Sequence, residues 1–174
     1  MDDLLKMMNN EDAAVRVQGV NRLADEYFER CVPVPELAAD GLIEILRSDP
    51  SVAVRLAALA RISADFEWWG DSPVGSVKLD LLARIRSALP IALGTAAEED
   101  LIRVVGEIIG RLGSVRDFLS IPEPIRGSHA FKSSLLDGLS RRELYGESES
   151  LLQLFLRDPD AHLRRRAEDL LDDN

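Results

Sequence analysis

At three places that read as polar turns, an Asp or Asn is followed five residues later by an aliphatic residue and six residues later by an arginine: Asn10, Val15 and Arg16; Asp49, Val54 and Arg55; Asp158, Leu163 and Arg164. A proline follows the aspartate in two of them, Pro50 and Pro159, and Glu11 takes that place in the other. The carboxylate of an aspartate can accept from the orphan N–H groups of a first helical turn, and a proline loses nothing at the first helical position. Each copy therefore predicts a helix start, with Asp49 as N-cap and Pro50 as first residue of the best example. Beyond it Val54, Ala57, Ala58 and Ile62 recur at helical spacing, and the two alanines leave room for a neighbouring helix to approach closely. Leu23 stands to Asn10 as Ile62 stands to Asp49.

A looser copy runs from Thr95, where Thr95-Ala96-Ala97-Glu98 reads as a capping box and Leu101, Val104, Val105, Ile108, Ile109 and Leu112 form the apolar stripe. A cap, an apolar residue, an arginine and paired small residues, preceded by an apolar helix ending in a polar turn, resemble the HEAT repeat. The resemblance is best over residues 35–66 and 148–172, fair over 2–30, loose over 74–113 and poorest between 114 and 147. It implies an all-α chain, an α-α superhelix (a HEAT-like solenoid) of about four to five helical hairpins, one of them degenerate, spanning 1–174 as a single domain. In such a family the second helix of each hairpin lines the concave face. The resemblance also implies a ladder of turn aspartates and second-helix arginines, giving Asp49, Pro50, Arg55, Asp158, Pro159 and Arg164 structural roles, weakened where Asn10 replaces the acid.

In chain order the pattern predicts helices over Asp2–Met8, Asn10–Arg30, Glu36–Arg47, Pro50–Phe66, Gly75–Leu93, Thr95–Leu112, Ala130–Leu139, Ser150–Leu156 and Pro159–Leu171. Pro90 is expected to interrupt or end its helix, because proline lacks the amide donor and crowds the preceding turn. Val115–Leu119 reads as one short turn, and Pro122-Glu123-Pro124 as an extended bend. The tail Asp172-Asp173-Asn174 puts acid at a helix C-terminus, against the macrodipole, and is expected to fray.

With 174 residues the chain can bury a real core. A formal charge of −10 repels phosphate backbones, so nucleic acid is an improbable partner without a dense basic patch. The one dense candidate, Arg164-Arg165-Arg166, fans out around a helix, with Arg166 turned toward Leu163, Ala167 and Leu170. The lone Cys31 allows neither an intrachain disulfide nor a CxxC metal site. No stretch approaches a membrane span and the first residues are acidic, unlike a signal peptide, which together suggest a cytoplasmic protein. Neither His129 nor His162 belongs to a metal or catalytic motif, no phosphate-binding loop or nucleophile elbow occurs, and the glycines at 106, 110 and 113 are spaced for helix packing and termination. No catalytic residue, metal or cofactor is expected.

Two features suggest a binding surface instead. Trp68 and Trp69 are adjacent in the first clear interruption of the pattern. Either both cover the joint between the second and third hairpins, or one is exposed as an interface anchor. On the long second helix Arg22, Asp25, Glu26 and Glu29, with Asn21, lie away from the Val15/Leu23 stripe, on what a HEAT-like fold makes its concave side. The expectation is a non-enzymatic interaction scaffold or adaptor whose acidic face takes a protein with a basic surface, an immunity or antitoxin protein being its sharper form. The alternatives rest on the scaffold alone: a HEAT-like alkylpurine DNA glycosylase, and a bilin-lyase-like or assembly-chaperone subunit.

Overall fold

The computed structural model describes residues 1–30, 32–65, 75–94, 98–141 and 146–172. Among them every regular element is helical: α1 (Asp2–Met8), α2 (Ala13–Leu23) running into a π-helical turn (Ala24–Phe28), α3 (Glu36–Ser48), α4 (Val52–Asp65), α5 (Gly75–Leu93), α6 (Glu99–Leu112), α7 (Val115–Ser120), α8 (Glu123–Arg126), α9 (His129–Leu139), α10 (Glu147–Phe155) and α11 (Ala161–Asp172). No described helix is long and apolar enough to cross a membrane.

The three recurrent turns fold alike, and their helices start two or three residues after the predicted positions. Asn10 Oδ1 accepts from Asp12 N at 2.9 Å, Asp49 Oδ1 from Ser51 N at 2.8 Å and Asp158 Oδ1 from Asp160 N at 2.9 Å. In each the side chain closes a tight turn on the residue two further on, so it is not the cap of the helix. The helices begin later, at Ala13, Val52 and Ala161. Pro50 and Pro159 therefore sit inside turns, not at a first helical position. In the outer copies the cap passes to Asp12, accepting from Ala14 N, and to Asp160, accepting from His162 N.

Contacts gather the chain into two compact units, Met1–Gly94 and Thr95–Asn174. In the first, α1 and α5 flank α3, while α2 and α4 pack together behind α1 and α3. Leu4, Met8, Leu23, Phe28, Leu42, Leu46, Leu59, Ile62, Ile85 and Leu89 are almost wholly withdrawn from solvent. Helix α5 runs through Pro90 without ending there. An interior proline costs about 3 kcal/mol, whereas each leucine buried contributes about 1.5–3 kcal/mol; with Ala88, Leu89, Ala92 and Leu93 all buried around it, continuing the helix wins.

In the second unit α9 lies between α6 and α11, and α7 packs on α10. The segment of poorest resemblance is thus helical. Ser114 and Asp117 form a reciprocal capping box on α7, and Pro122-Glu123-Pro124 leads into the single turn of α8, a correction to the extended bend. Proline is tolerated there because a first turn needs no donor from it. Phe118 of α7 rests against Phe131 of α9 and Phe155 of α10, ring centroids 6.2 Å away in both cases. Helices α6 and α9 touch through glycines: a Cβ on Gly110 would lie 2.1 Å from Leu135 O, and one on Gly138 2.3 Å from Glu107 O.

Candidate functional site

The recurrent arginines occupy one position, the fourth residue of their helix, and make one contact. Arg16 Nη1 donates to Asn10 O at 2.8 Å, Arg55 Nη1 to Asp49 O at 2.9 Å and Arg164 Nη1 to Asp158 O at 2.6 Å. Each guanidinium thus satisfies the carbonyl of the turn six residues before it. The other edge of Arg16 reaches into the next copy, where Nε and Nη2 grip Asp49 Oδ2 and Oδ1 at 2.6 and 2.9 Å. Their side chains are only 12% and 4% exposed. The bond to Asp49 raises the Arg16 guanidinium above its already high ordinary pKa. In the second unit Lys132, fourth residue of α9, donates to Asp158 Oδ2 at 2.7 Å. A point charge there fills the place of the arginine fork. Asp49 and Asp158 thus each accept a cation from an earlier helix, α2 and α9 respectively, and a bond from their own turn.

The acidic residues of the long second helix surround the π-helical turn, in which Glu29 N bonds to Ala24 O, five residues back, at 3.0 Å. Arg22 Nε pairs with Glu26 Oε1 at 2.6 Å, and that bond holds the Glu26 carboxyl below the usual carboxylate range. Asp25 and Glu29 do not face solvent alone: both accept from the same nitrogen, Arg61 Nη2 of α4, at 2.8 Å each. They nevertheless remain 59% and 54% exposed, whereas Arg61 is largely covered. Arg22 and Arg61 are paired with these three carboxylates, and Arg30 and the N-terminal amine also act on Glu26, while the exposed Asp25 and Glu29 keep lone pairs that can accept further donors.

Arg61 was not singled out from the sequence, yet the register that aligns Leu23 with Ile62 also aligns Arg22 with Arg61. Lys132 was overlooked because no aspartate precedes α9 at the repeat spacing; its cap is Ser128, accepting from Phe131 N. In the other unit α11, α9 and α6 are tied in the same style, Arg166 to Ser133 Oγ and Asp137 Oδ1 at 3.0 and 2.6 Å, and Arg141 to Glu107 Oε1 at 2.5 Å. His129 Nδ1 lies 2.9 Å from Asp160 Oδ2, and His162 is exposed. Trp68 and Trp69 lie outside the described residues, as do Cys31 and the tail beyond Asp172. Among the described residues no three His, Cys, Asp or Glu side chains converge in a metal-binding group.

Comparison with protein-family models, curated proteins and solved structures returns no match.

Proposed function

We propose that this chain is a non-enzymatic interaction scaffold, a HEAT-like α-α superhelix of the cytoplasm, whose acidic second-helix surface takes a protein with a basic face, in the manner of an immunity or antitoxin protein. The observation that carries this reading is the sharing of one Arg61 nitrogen by Asp25 and Glu29, both more than half exposed. Their remaining lone pairs suit the guanidinium or ammonium of a partner, and the chain's formal charge of −10 would steer it. Arg22 and Arg61 fix the direction of the carboxylates and reduce their mutual repulsion, so little reorganisation is needed on binding. Trp68 and Trp69 are the proposed apolar anchors.

The test is retention of proteins from the source cell on the immobilised chain, at low and at high salt, followed by reconstitution of the captured complex from purified components. A basic protein held at one-to-one stoichiometry, weakened by salt and lost both with Asp25→Asn/Glu29→Gln and with Trp68→Ala/Trp69→Ala, is the expected result. Retention of nucleic acid, or of nothing, refutes the reading.

A further inference from the structure

One of the three recurrent arginines keeps an open edge. Arg164 is built like Arg16: each is the fourth residue of its helix, and each has Nη1 seated on carbonyls of its own turn. Arg16 Nη1 reaches Asn10 O and Glu11 O at 2.8 and 2.9 Å, and Arg164 Nη1 reaches Asp158 O and Pro159 O at 2.6 and 3.0 Å. With that nitrogen fixed, the Nε/Nη2 edge of Arg16 holds Asp49 through two bonds. The corresponding edge of Arg164 meets no acceptor among the described residues. It is not sealed off either. Arg55 Nε lies buried without a hydrogen-bond partner, whereas no nitrogen of the half-buried Arg164 is in that state.

We propose that Arg164 is a receptor for a carboxylate from outside the chain, an aspartate side chain presented on a turn of a partner protein. Arg16 with Asp49 is the filled form of this site within the same molecule. The fork is already oriented, so a carboxylate finds two parallel donors without ordering a free side chain. Competing acids nearby are engaged. Asp158 gives Oδ2 to Lys132 and Oδ1 to Asp160 N, while Asp160 gives Oδ2 to His129 and Oδ1 to His162 N. Glu168, one helical turn on, makes no ion pair with Arg164, although intrahelical spacing would permit it. Arg157 and Arg165 stand exposed on the same turn and helix, as do Glu168 and Asp169 further along it. This site is independent of the acidic surface around Arg61 and calls for the opposite charge in its ligand.

The test follows the side-chain Nε–H resonances of the full chain by NMR while a blocked tetrapeptide, Ser-Asp-Pro-Ser, is added; its asparagine counterpart and free acetate serve as separate arms. The expected result is a saturable shift of the Arg164 signal, assigned by its loss in Arg164→Lys, with a dissociation constant in the range of about 1–10 mM. The asparagine peptide should leave it unmoved, and acetate should shift it at least several-fold more weakly than the aspartyl peptide. Arg164→Lys, which keeps the charge but not the fork, should weaken the peptide's effect on neighbouring amides at least five-fold. Equal shifts at exposed arginines such as Arg103, equal effects of the two peptides, acetate matching the aspartyl peptide, or no shift of Arg164 each overturn the proposal.

Discussion

Gly110→Ala is the substitution against which the packing described here can be judged most sharply. A Cβ at that position would stand 2.1 Å from Leu135 O, 2.9 Å from Gly138 Cα and 2.9 Å from Leu139 N. All three are backbone atoms of α9 and cannot rotate away. Relief requires α6 and α9 to separate by about 1 Å, and a gap of that size forfeits about a quarter to a half of the dispersion attraction across the seam. The seam is lined by Val105, Ile109, Phe131, Leu135 and Leu139, all fully buried. Alanine in place of glycine returns about 1 kcal/mol of helix propensity, so the expected net loss is about 2–4 kcal/mol. Gly138→Ala should cost a similar amount, since its Cβ would meet Glu107 O at 2.3 Å. One withdrawal of α9 accommodates both methyl groups, so the double variant should lose at least about 1 kcal/mol less than the sum of the singles. Gly41→Ala is the control: its Cβ would meet only the flexible end of Met8, at 3.2 Å, and should leave stability within about 0.5 kcal/mol of wild type or raise it. Urea unfolding followed by far-UV ellipticity, with amide exchange in α6 and α9, measures all four. A loss below about 0.5 kcal/mol for Gly110→Ala, or strict additivity of the pair, would show that the two helices are not held apart by a backbone contact.

Other perturbations separate the ladder from ordinary surface charge. Asp49→Ala removes the acceptor of the Arg16 fork and opens the turn on Ser51, so it should lower the thermal midpoint more than Arg103→Ala, whose exposed pair with Glu99 lies within one helix. Ser114→Ala removes one half of the capping box on α7 and should cost about 1 kcal/mol in urea unfolding. The hydrogen bond from His129, helped by those from His162 N and Leu163 N, holds the Asp160 carboxyl below the usual carboxylate range. A depressed folded-state pKa contributes stability that is complete above the unfolded value, near pH 4, and disappears as the pH falls through the folded one. Urea midpoints measured between pH 6 and pH 2 should therefore fall less steeply in Asp160→Asn than in wild type; equal slopes would mean that the contact with His129 does not persist in solution.

The helices were legible because their signals are local. Stripes such as Leu101, Val105, Ile108 and Ile109 show in any window of the sequence, and all four residues are buried. What escaped was decided by partners distant in sequence or by competition within a turn. The helix starts after Asp49 and Asp158 lie two residues beyond the predicted ones because an aspartate can close a turn or cap a helix with the same oxygens, and spacing alone does not choose. The π-helical turn after Leu23 carries no composition signal, yet Asp25 and Glu29 meet Arg61 beside it, 36 and 32 residues away. The acidic character of that surface was visible in the sequence; its partial neutralisation from α4 was not.

Asn10 shows how much a repeat register can say once its physical role is known. As a departure from aspartate it looks like a weak end to the ladder. The acid, however, has two tasks at Asp49: Oδ1 closes the turn on Ser51 N and also accepts from the Arg16 fork, while Oδ2 takes the fork's shorter bond. Closing the turn needs only one oxygen, and Asn10 Oδ1 supplies it to Asp12 N. The second task has no counterpart at Asn10, whose side chain meets no arginine or lysine among the described residues. A charge there would be left without its cation, so an amide is the cheaper residue. The same comparison leaves Arg164 with its turn satisfied and its fork open, which makes that arginine, and not Asn10, the position from which a further contact is expected.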